Sequence, residues 1–175
     1  MISTLARTAV TVLAIGVPTL VTAPAGAEAA NHQTFDGFIL TSGTTGTRTV
    51  VASSILARGA LTGVGRIVER PNLPTDPDNA SRDDLAFRSG SMHLVSFVQD
   101  AQFSLDPLTC RFTVRATQTS QVRGGTGRFS SAVGDFTATG TARGQAARDA
   151  DGSCSQTAAA ILELDIVSMA GSLAY

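Results

Sequence analysis

The sequence predicts an all-β protein, a single eight-stranded antiparallel β-barrel that follows an N-terminal targeting segment. Apolar and polar residues alternate with a period of two in many segments, and no window keeps an apolar period of 3.6 residues for long. Residues 124–134 begin with three glycines in four positions and separate two alternating segments, which is typical of a turn between strands. About 148 residues remain after the targeting segment, enough for one domain with a sizeable core.

Residues 1–27 have the pattern of a secretory signal peptide. Residues 9–21 are almost wholly apolar, and small residues follow in an A-x-A pattern that ends at Ala27. We predict cleavage after Ala27, with cleavage after Ala29 or an uncleaved anchor as alternatives. Because the apolar run is shorter than a membrane-spanning helix needs, we expect residues 28–175 to form a secreted, extracellular domain without a stable membrane span.

Eight segments are predicted as strands. They are residues 33–41, 47–57, 60–69, 85–97, 99–105, 109–118, 134–143 and 156–167. Their number and spacing are typical of an antiparallel barrel or sandwich. Residues 70–84 hold three prolines and four aspartates, so this segment is predicted to be a long exposed loop.

The three clearest strands also predict which side chains face the barrel interior. The predicted inward faces comprise Cys110, Phe112, Val114 and Ala116; Phe136, Ala138, Gly140 and Ala142; and Ala158, Ala160, Leu162, Leu164 and Ile166. Many of these side chains are small, so the barrel is either tightly packed there or retains an apolar cavity. For a cavity that takes a small hydrophobic ligand, the candidate lining residues are Phe112, Val114, Ala138, Ala158 and Leu162.

Cys110 and Cys154 are the only cysteines, and an even pair in an exported protein predicts a disulfide. In a simple meander the two would lie two strand spacings apart, about 9.5 Å. A disulfide needs Cα atoms closer than about 7 Å, so the loop 147–155 must fold back over the end of the sheet. A metal site is the alternative, but His32 and His93 are isolated in the sequence, and no metal site is predicted.

Two sets of polar residues are candidates for chemistry. His93 is predicted to share an inward face with Val95 and Phe97, where it would act as a general base or orient a ligand. The alternative is a hydrogen-bonded polar residue of the core, and no G-x-S-x-G sequence accompanies it. Glu163 and Asp165 lie about 7 Å apart on one strand face, as paired carboxylates of glycoside chemistry do. The alternation assigns them to a solvated outer surface instead.

The composition excludes several functional classes. All 13 basic residues are arginine, and because P-loops and pyridoxal phosphate enzymes need a lysine, both are excluded and no cofactor is predicted. Without Arg7 the mature chain has 12 arginines against 14 acidic residues, a net charge of −2 that argues against nucleic-acid binding. Tryptophan is absent and Tyr175 is the only tyrosine, so aromatic platforms for bases or sugars are few.

The motif Gly-Gly-Thr-Gly-x-Phe-x-x-Ala-x-Gly at residues 124–134 resembles a strand-turn signature of the allene oxide cyclase and dirigent families. Secreted bacterial proteins with an allene-oxide-cyclase-like barrel carry similar turns. The resemblance implies a calycin-like barrel of eight strands and a homo-oligomer, which is a trimer in many members. It carries over no catalytic residue, since the pocket residues of those families do not map onto positions here. Its glycines and Phe129 are expected to be structural, with Phe129 closing one barrel end.

Three functional hypotheses follow. The first is a secreted barrel that binds a small hydrophobic ligand or acts as a stable extracellular module. The second is an isomerase, cyclase or dirigent-like protein that steers a reactive apolar intermediate by confinement. The third is a structural or protein-interaction domain with a filled barrel. Polar groups that converge in the lumen around His93 would favour the enzyme, a dry apolar cavity the binder, and an exposed apolar sheet face the interaction domain.

Overall fold

A computed structural model describes residues 31–43 and 47–175, which form a closed barrel of eight antiparallel strands. The strands are β1 His32–Ser42, β2 Thr49–Gly59, β3 Gly63–Arg70, β4 Ala80–Phe87, β5 Gly90–Leu105, β6 Arg111–Gly125, β7 Val133–Gln145 and β8 Leu162–Ala174. Each strand pairs with the next one in sequence, and β8 pairs with β1, so every strand has two neighbours. The predicted fold class is confirmed, and the predicted signal peptide at residues 1–27 lies outside the described residues.

The hairpin of β4 and β5 differs from the predicted strand pattern. Residues 85–97 were predicted as one strand, but the chain reverses at Arg88 and Ser89, and β5 then continues to Leu105 past an irregularity beside Val98. The reversal shifts the alternation by one residue, so that even-numbered residues of β5 face inward as far as Val98, and past the irregularity Ala101 lines the lumen. The predicted loop at residues 70–84 is correspondingly shorter, because β4 begins at Ala80.

The predicted orientation of the last strand is wrong. β8 begins only at Leu162, and the side chains of Leu162 and Ile166 are 50% and 51% exposed on the outer surface. Met169 and Leu173 are buried in the core, which fixes the odd-numbered face of β8 inward. Glu163 and Asp165 share that parity and therefore lie on the lumenal face. The apolar side chains at the start of β8, those of Leu162, Leu164 and Ile166, face outward, contrary to the rule that apolar residues mark the interior.

One half of the barrel, here called the closed half, is filled by an aromatic cluster. Phe35 packs against Phe136 with ring centroids 5.4 Å apart, and Phe87 packs against Phe129 at 5.9 Å. Their aliphatic neighbours in the core are Met92, Val122, Ala132 and Leu173. Aromatic pairs at these separations stabilise a core beyond the area that they bury, so this cluster stabilises the closed half of the barrel.

The glycine-rich turn seals the closed half as expected. Gly124 and Gly127 have φ angles of 76° and 59°, which a side chain rarely adopts. They allow a short 3₁₀ helix, Gly127–Phe129, to lie across the end of the barrel with Phe129 completely buried. Thr126 ties this turn to β5, since its backbone N–H donates to the carbonyl oxygen of Ser91 over 2.7 Å.

The opposite rim is tied by the predicted disulfide. Cys110 and Cys154 are bonded with their Cα atoms 5.3 Å apart. The loop between β7 and β8 folds back as expected, with an isolated bridge between Arg148 and Cys154. The Ala146 N–H donates to the carbonyl oxygen of Cys110 over 2.8 Å. The disulfide thus fastens this loop to the start of β6 beside the lumen.

Candidate functional site

The half of the barrel opposite the aromatic cluster, here called the open half, contains a cavity of about 650 Å³. Its apolar walls come from several strands of the barrel. They are formed by Ile39, Ile67, Leu85, Leu94, Val98, Val114, Val167 and Met169. A cavity of this size lies within the range of small-molecule sites, roughly 300–1,000 Å³.

Small side chains leave this space unfilled. Ala116 of β6 pairs in register with Gly140 of β7, and both line the cavity, as does Ala142. A Cβ atom on Gly140 would meet only the carbonyl oxygen of Ile166 at 3.8 Å. By contrast, a Cβ atom on Gly134 in the closed half would lie 2.9 Å from the ring of Phe136. The same strand is therefore packed tightly at Gly134 and leaves open space at Gly140.

Charged side chains gather at the outer end of the cavity, here called the acidic mouth and defined by Arg48, Glu69, Asp83, Glu163 and Asp165. Arg48, which directly precedes β2, is hydrogen-bonded to both carboxylate oxygens of Glu69. Its Nη2 lies 3.4 Å from Oδ2 of Asp165, and its Nε lies 3.7 Å from Oε2 of Glu163. Glu69 and Asp83 are register partners on β3 and β4. The mouth thus joins residues that are more than 100 positions apart in sequence.

The pKa values of two carboxyl groups of the acidic mouth are shifted toward neutral pH. Burial raises the pKa of Asp83 to about 6, and the negative charge of Glu69 adds to the shift while Arg48 opposes it. Burial likewise raises the pKa of Asp165 to about 6, with Glu163 as the largest charged contributor. One guanidinium therefore faces four carboxyl groups, and it does not compensate them all.

His93 lies outside the lumen, so its predicted inward orientation is wrong. Its side chain is 45% exposed, and its Nδ1 lies 2.7 Å from Oδ1 of Asp84. Nε of Arg70 donates to the other oxygen of the same carboxylate over 2.7 Å. Burial alone would raise the pKa of Asp84, but the hydrogen bonds of His93 and Arg70 lower it overall. The structure thus gives His93 a hydrogen bond on the outer surface, where it cannot contact a lumenal ligand.

The residues predicted to line a cavity are dispersed. Val114 lines the cavity, and Ala138 is buried in the core next to the aromatic cluster. Phe112 stacks on Phe103 at the rim, with centroids 6.2 Å apart. Ala158 is exposed in the loop before β8, and Leu162 lies on the outer surface because β8 has the opposite orientation. As ligand contacts, the inward-facing members of this set stay predictions.

Most of the acidic mouth was not predicted from the sequence. Arg48, Glu69 and Asp83 were not candidates, and Glu163 and Asp165 were assigned to the outer surface. A signal was present in β8, since the odd-numbered positions after Asp165 include the apolar Val167 and Met169. Following the alternation past residue 167 would have placed both carboxylates on the lumenal face. For Arg48, Glu69 and Asp83, only the register of the closed sheet brings the groups together.

Among residues 31–43 and 47–175, no group of three or more His, Cys, Asp or Glu side chains is arranged to hold a metal ion. Over the same residues, no helix has the length and apolar character to cross a membrane. No protein-family model matches the chain, and neither a curated protein nor a solved structure matches it.

Proposed function

We propose that the protein binds a small, mainly apolar molecule in the open half of its barrel. The observation that carries this proposal is the cavity of about 650 Å³ with apolar walls, next to a closed half in which the same barrel is fully packed. A barrel stabilised only by its core would gain from larger side chains at Ala116 and Gly140, because filling a void adds packing contacts. Small residues at these positions fit a site that is kept open for a ligand.

Filling the cavity tests this proposal. Ala116→Leu adds bulk inside the cavity, whereas Thr117→Leu adds the same side chain at the next position, which is exposed. With Nile red as a neutral apolar probe, we expect Ala116→Leu to weaken binding at least fivefold and Thr117→Leu to leave it unchanged. Equal affinity of both variants and the parent protein in a fluorescence titration would show that the probe binds elsewhere.

Catalysis on an apolar substrate is the second candidate function. It is favoured by Asp83 and Asp165, since carboxyl groups with a pKa of about 6 can accept and return a proton near neutral pH. Such an isomerase or cyclase would exchange the α-proton of a bound apolar ketone with deuterium from the solvent. Exchange followed by NMR should depend on Asp83 and Asp165, and exchange that persists in Asp83→Asn/Asp165→Asn would remove this candidate.

Self-association is a third candidate, supported by the outer surface of β1 and β8. Phe38 and Ile166 are register partners there and are 38% and 51% exposed, and Leu164 is their exposed neighbour on β8. Exposed apolar sheet faces mark interfaces, and the occupant proposed here is a second copy of the chain. Native mass spectrometry at micromolar concentration should detect an oligomer that Ile166→Ser weakens, whereas a monomer throughout would contradict the proposal.

Secretion and membership in the allene oxide cyclase and dirigent-like families are also proposed. The disulfide between Cys110 and Cys154 supports an oxidising compartment, as expected of an exported protein. The closed eight-stranded barrel and the glycine-rich turn support the family resemblance. N-terminal sequencing of the protein from its producing cell tests the export proposal, and a mature chain that starts at Met1 would contradict cleavage after Ala27.

A further inference from the structure

The charged side chains of the cavity are gathered at one end. Its inner walls are mainly apolar, with Ser96 and Gln118 as polar members. Leu85, Leu94 and Met169 line the cavity and also belong to the hydrophobic core that contains the aromatic cluster. Its charged lining residues lie toward the other end, at the acidic mouth. Arg70 and Arg82 also line this end, but their guanidinium groups are paired with Asp84 and Asp76. A molecule that fills the cavity would therefore meet apolar side chains along its body and carboxylates at one end.

The acidic mouth already holds a cation. The guanidinium of Arg48 contacts carboxylate oxygens of Glu69, Glu163 and Asp165, so the mouth is arranged around a positively charged nitrogen group. Asp83 lies in the wall of the same cavity, and none of the hydrogen bonds or ion pairs found among the described residues involves its side chain. A second positive group in the cavity would therefore gain a carboxylate with which Arg48 interacts only through its charge, without a hydrogen bond or ion pair.

We propose that the ligand of the lumenal cavity is an organic cation, an apolar molecule with a basic nitrogen that binds at the acidic mouth beside Asp83 and Asp165. This inference rests on the proposed function, because it assumes that the cavity takes an apolar molecule. An inorganic cation would use the carboxylates alone, whereas an organic ammonium group with an apolar body uses both the mouth and the walls. In the partly buried mouth, short and well-aligned hydrogen bonds to the carboxylates are what offsets the loss of hydration of the ammonium group.

Three probes with one apolar body separate this inference from the proposed function. We would titrate the purified protein by calorimetry at neutral pH with n-octylamine, n-octanol and n-octanoate. The amine is expected to bind at least tenfold more tightly than the alcohol, and the carboxylate most weakly. Equal binding of all three would overturn the preference for a cation and leave the apolar site standing. Binding of none of them would contradict the proposed function itself.

Two variants test whether the preference for the amine over the alcohol comes from carboxylates in the lumen. Asp83→Asn and Asp165→Asn should each reduce amine affinity at least fivefold and leave n-octanol affinity within twofold. Asp135→Asn is the matched control, because Asp135 is on β7 with a side chain that is 70% exposed. Circular dichroism identifies any variant that has lost its fold, and the other lumenal variant then decides the test. An amine preference that survives in a folded lumenal variant would overturn the inference.

Discussion

Individual charges in the lumen cost this fold stability. Asp83 and Asp165 are held with a pKa of about 6, which means that the folded state disfavours their charged forms near neutral pH. Groups that oppose stability in this way are concentrated at functional sites, where recognition or chemistry needs them. The opposite holds on the outer surface, where Asp84 is stabilised as a carboxylate by Arg70 and His93. The two environments differ in whether hydrogen bonds compensate for burial.

Replacing Asp83 by asparagine should therefore stabilise the protein at high pH. The pKa of Asp83 is about 6 in the folded state, against 3.8 for an aspartate in the unfolded chain. The unfolded state loses this proton first, so the free energy of unfolding falls as the pH rises from about 4 to about 6 and stays low above that range. Relative to the parent protein, Asp83→Asn should gain up to about 3 kcal/mol at pH 8 and little at pH 4.

Urea unfolding at pH 4 and pH 8 measures this difference. Glu69, Arg48 and Asp84 face Asp83, and the variant-minus-parent difference removes most of their own contributions. Asp135→Asn is the control for removing a carboxylate at an exposed position outside the lumen. A stability gain for Asp83→Asn that is the same at both pH values would mean that Asp83 is not held in an unfavourable environment.

The elements differ in how far their sequence determined their placement. In β7, small residues and Phe136 alternate with threonines, and the predicted inward face is confirmed by the burial of Phe136 and Ala138. In β8, a period-two pattern defined two faces without saying which one is lumenal, and the exposed Leu162 and Ile166 reversed the assignment. The turn before β5 shifted the alternation at His93. Local periodicity therefore predicted strands and the barrel, whereas the acidic mouth required the register between strands.

Alanine substitutions test how tightly the glycine-rich turn is packed against its neighbours. Gly127 and Gly152 both have positive φ angles, 59° and 84°, so an alanine at either position is strained in the backbone. A Cβ atom on Gly127 would also collide with the carbonyl oxygen of Ser89, whereas a Cβ atom on Gly152 would meet nothing within 4 Å. We expect Gly127→Ala to cost at least about 2 kcal/mol more than Gly152→Ala, because only Gly127 is enclosed.

Thermal and urea unfolding of the two variants test this expectation. Gly152→Ala isolates the cost of the backbone conformation, about 1–2 kcal/mol. Equal destabilisation would indicate that the 3₁₀ helix moves freely away from β5, so that Phe129 would not be a fixed closure of the barrel.

On the scale of the whole molecule, the barrel has one half whose packed core stabilises the fold and one half that contains an unfilled cavity. The closed half contains the aromatic cluster and the turn that buries Phe129. The open half contains the cavity and the acidic mouth, with the disulfide of Cys110 and Cys154 at its rim. Because β strands run through both halves, the packed end can hold the open end in shape without filling it. Stability and ligand binding can thus be altered by different residues.

Met169 and Met92 can distinguish a ligand in the cavity from one that binds elsewhere. Met169 lines the cavity, whereas Met92 is completely buried in the core cluster and does not line it. The most direct measurement is NMR of protein labelled with ¹³C in the methionine methyl groups, with n-octylamine added. The account predicts nuclear Overhauser contacts between the octyl chain and the Met169 methyl group, and none with Met92. Saturable binding without any contact to Met169 would contradict the claim that the lumen is the ligand site.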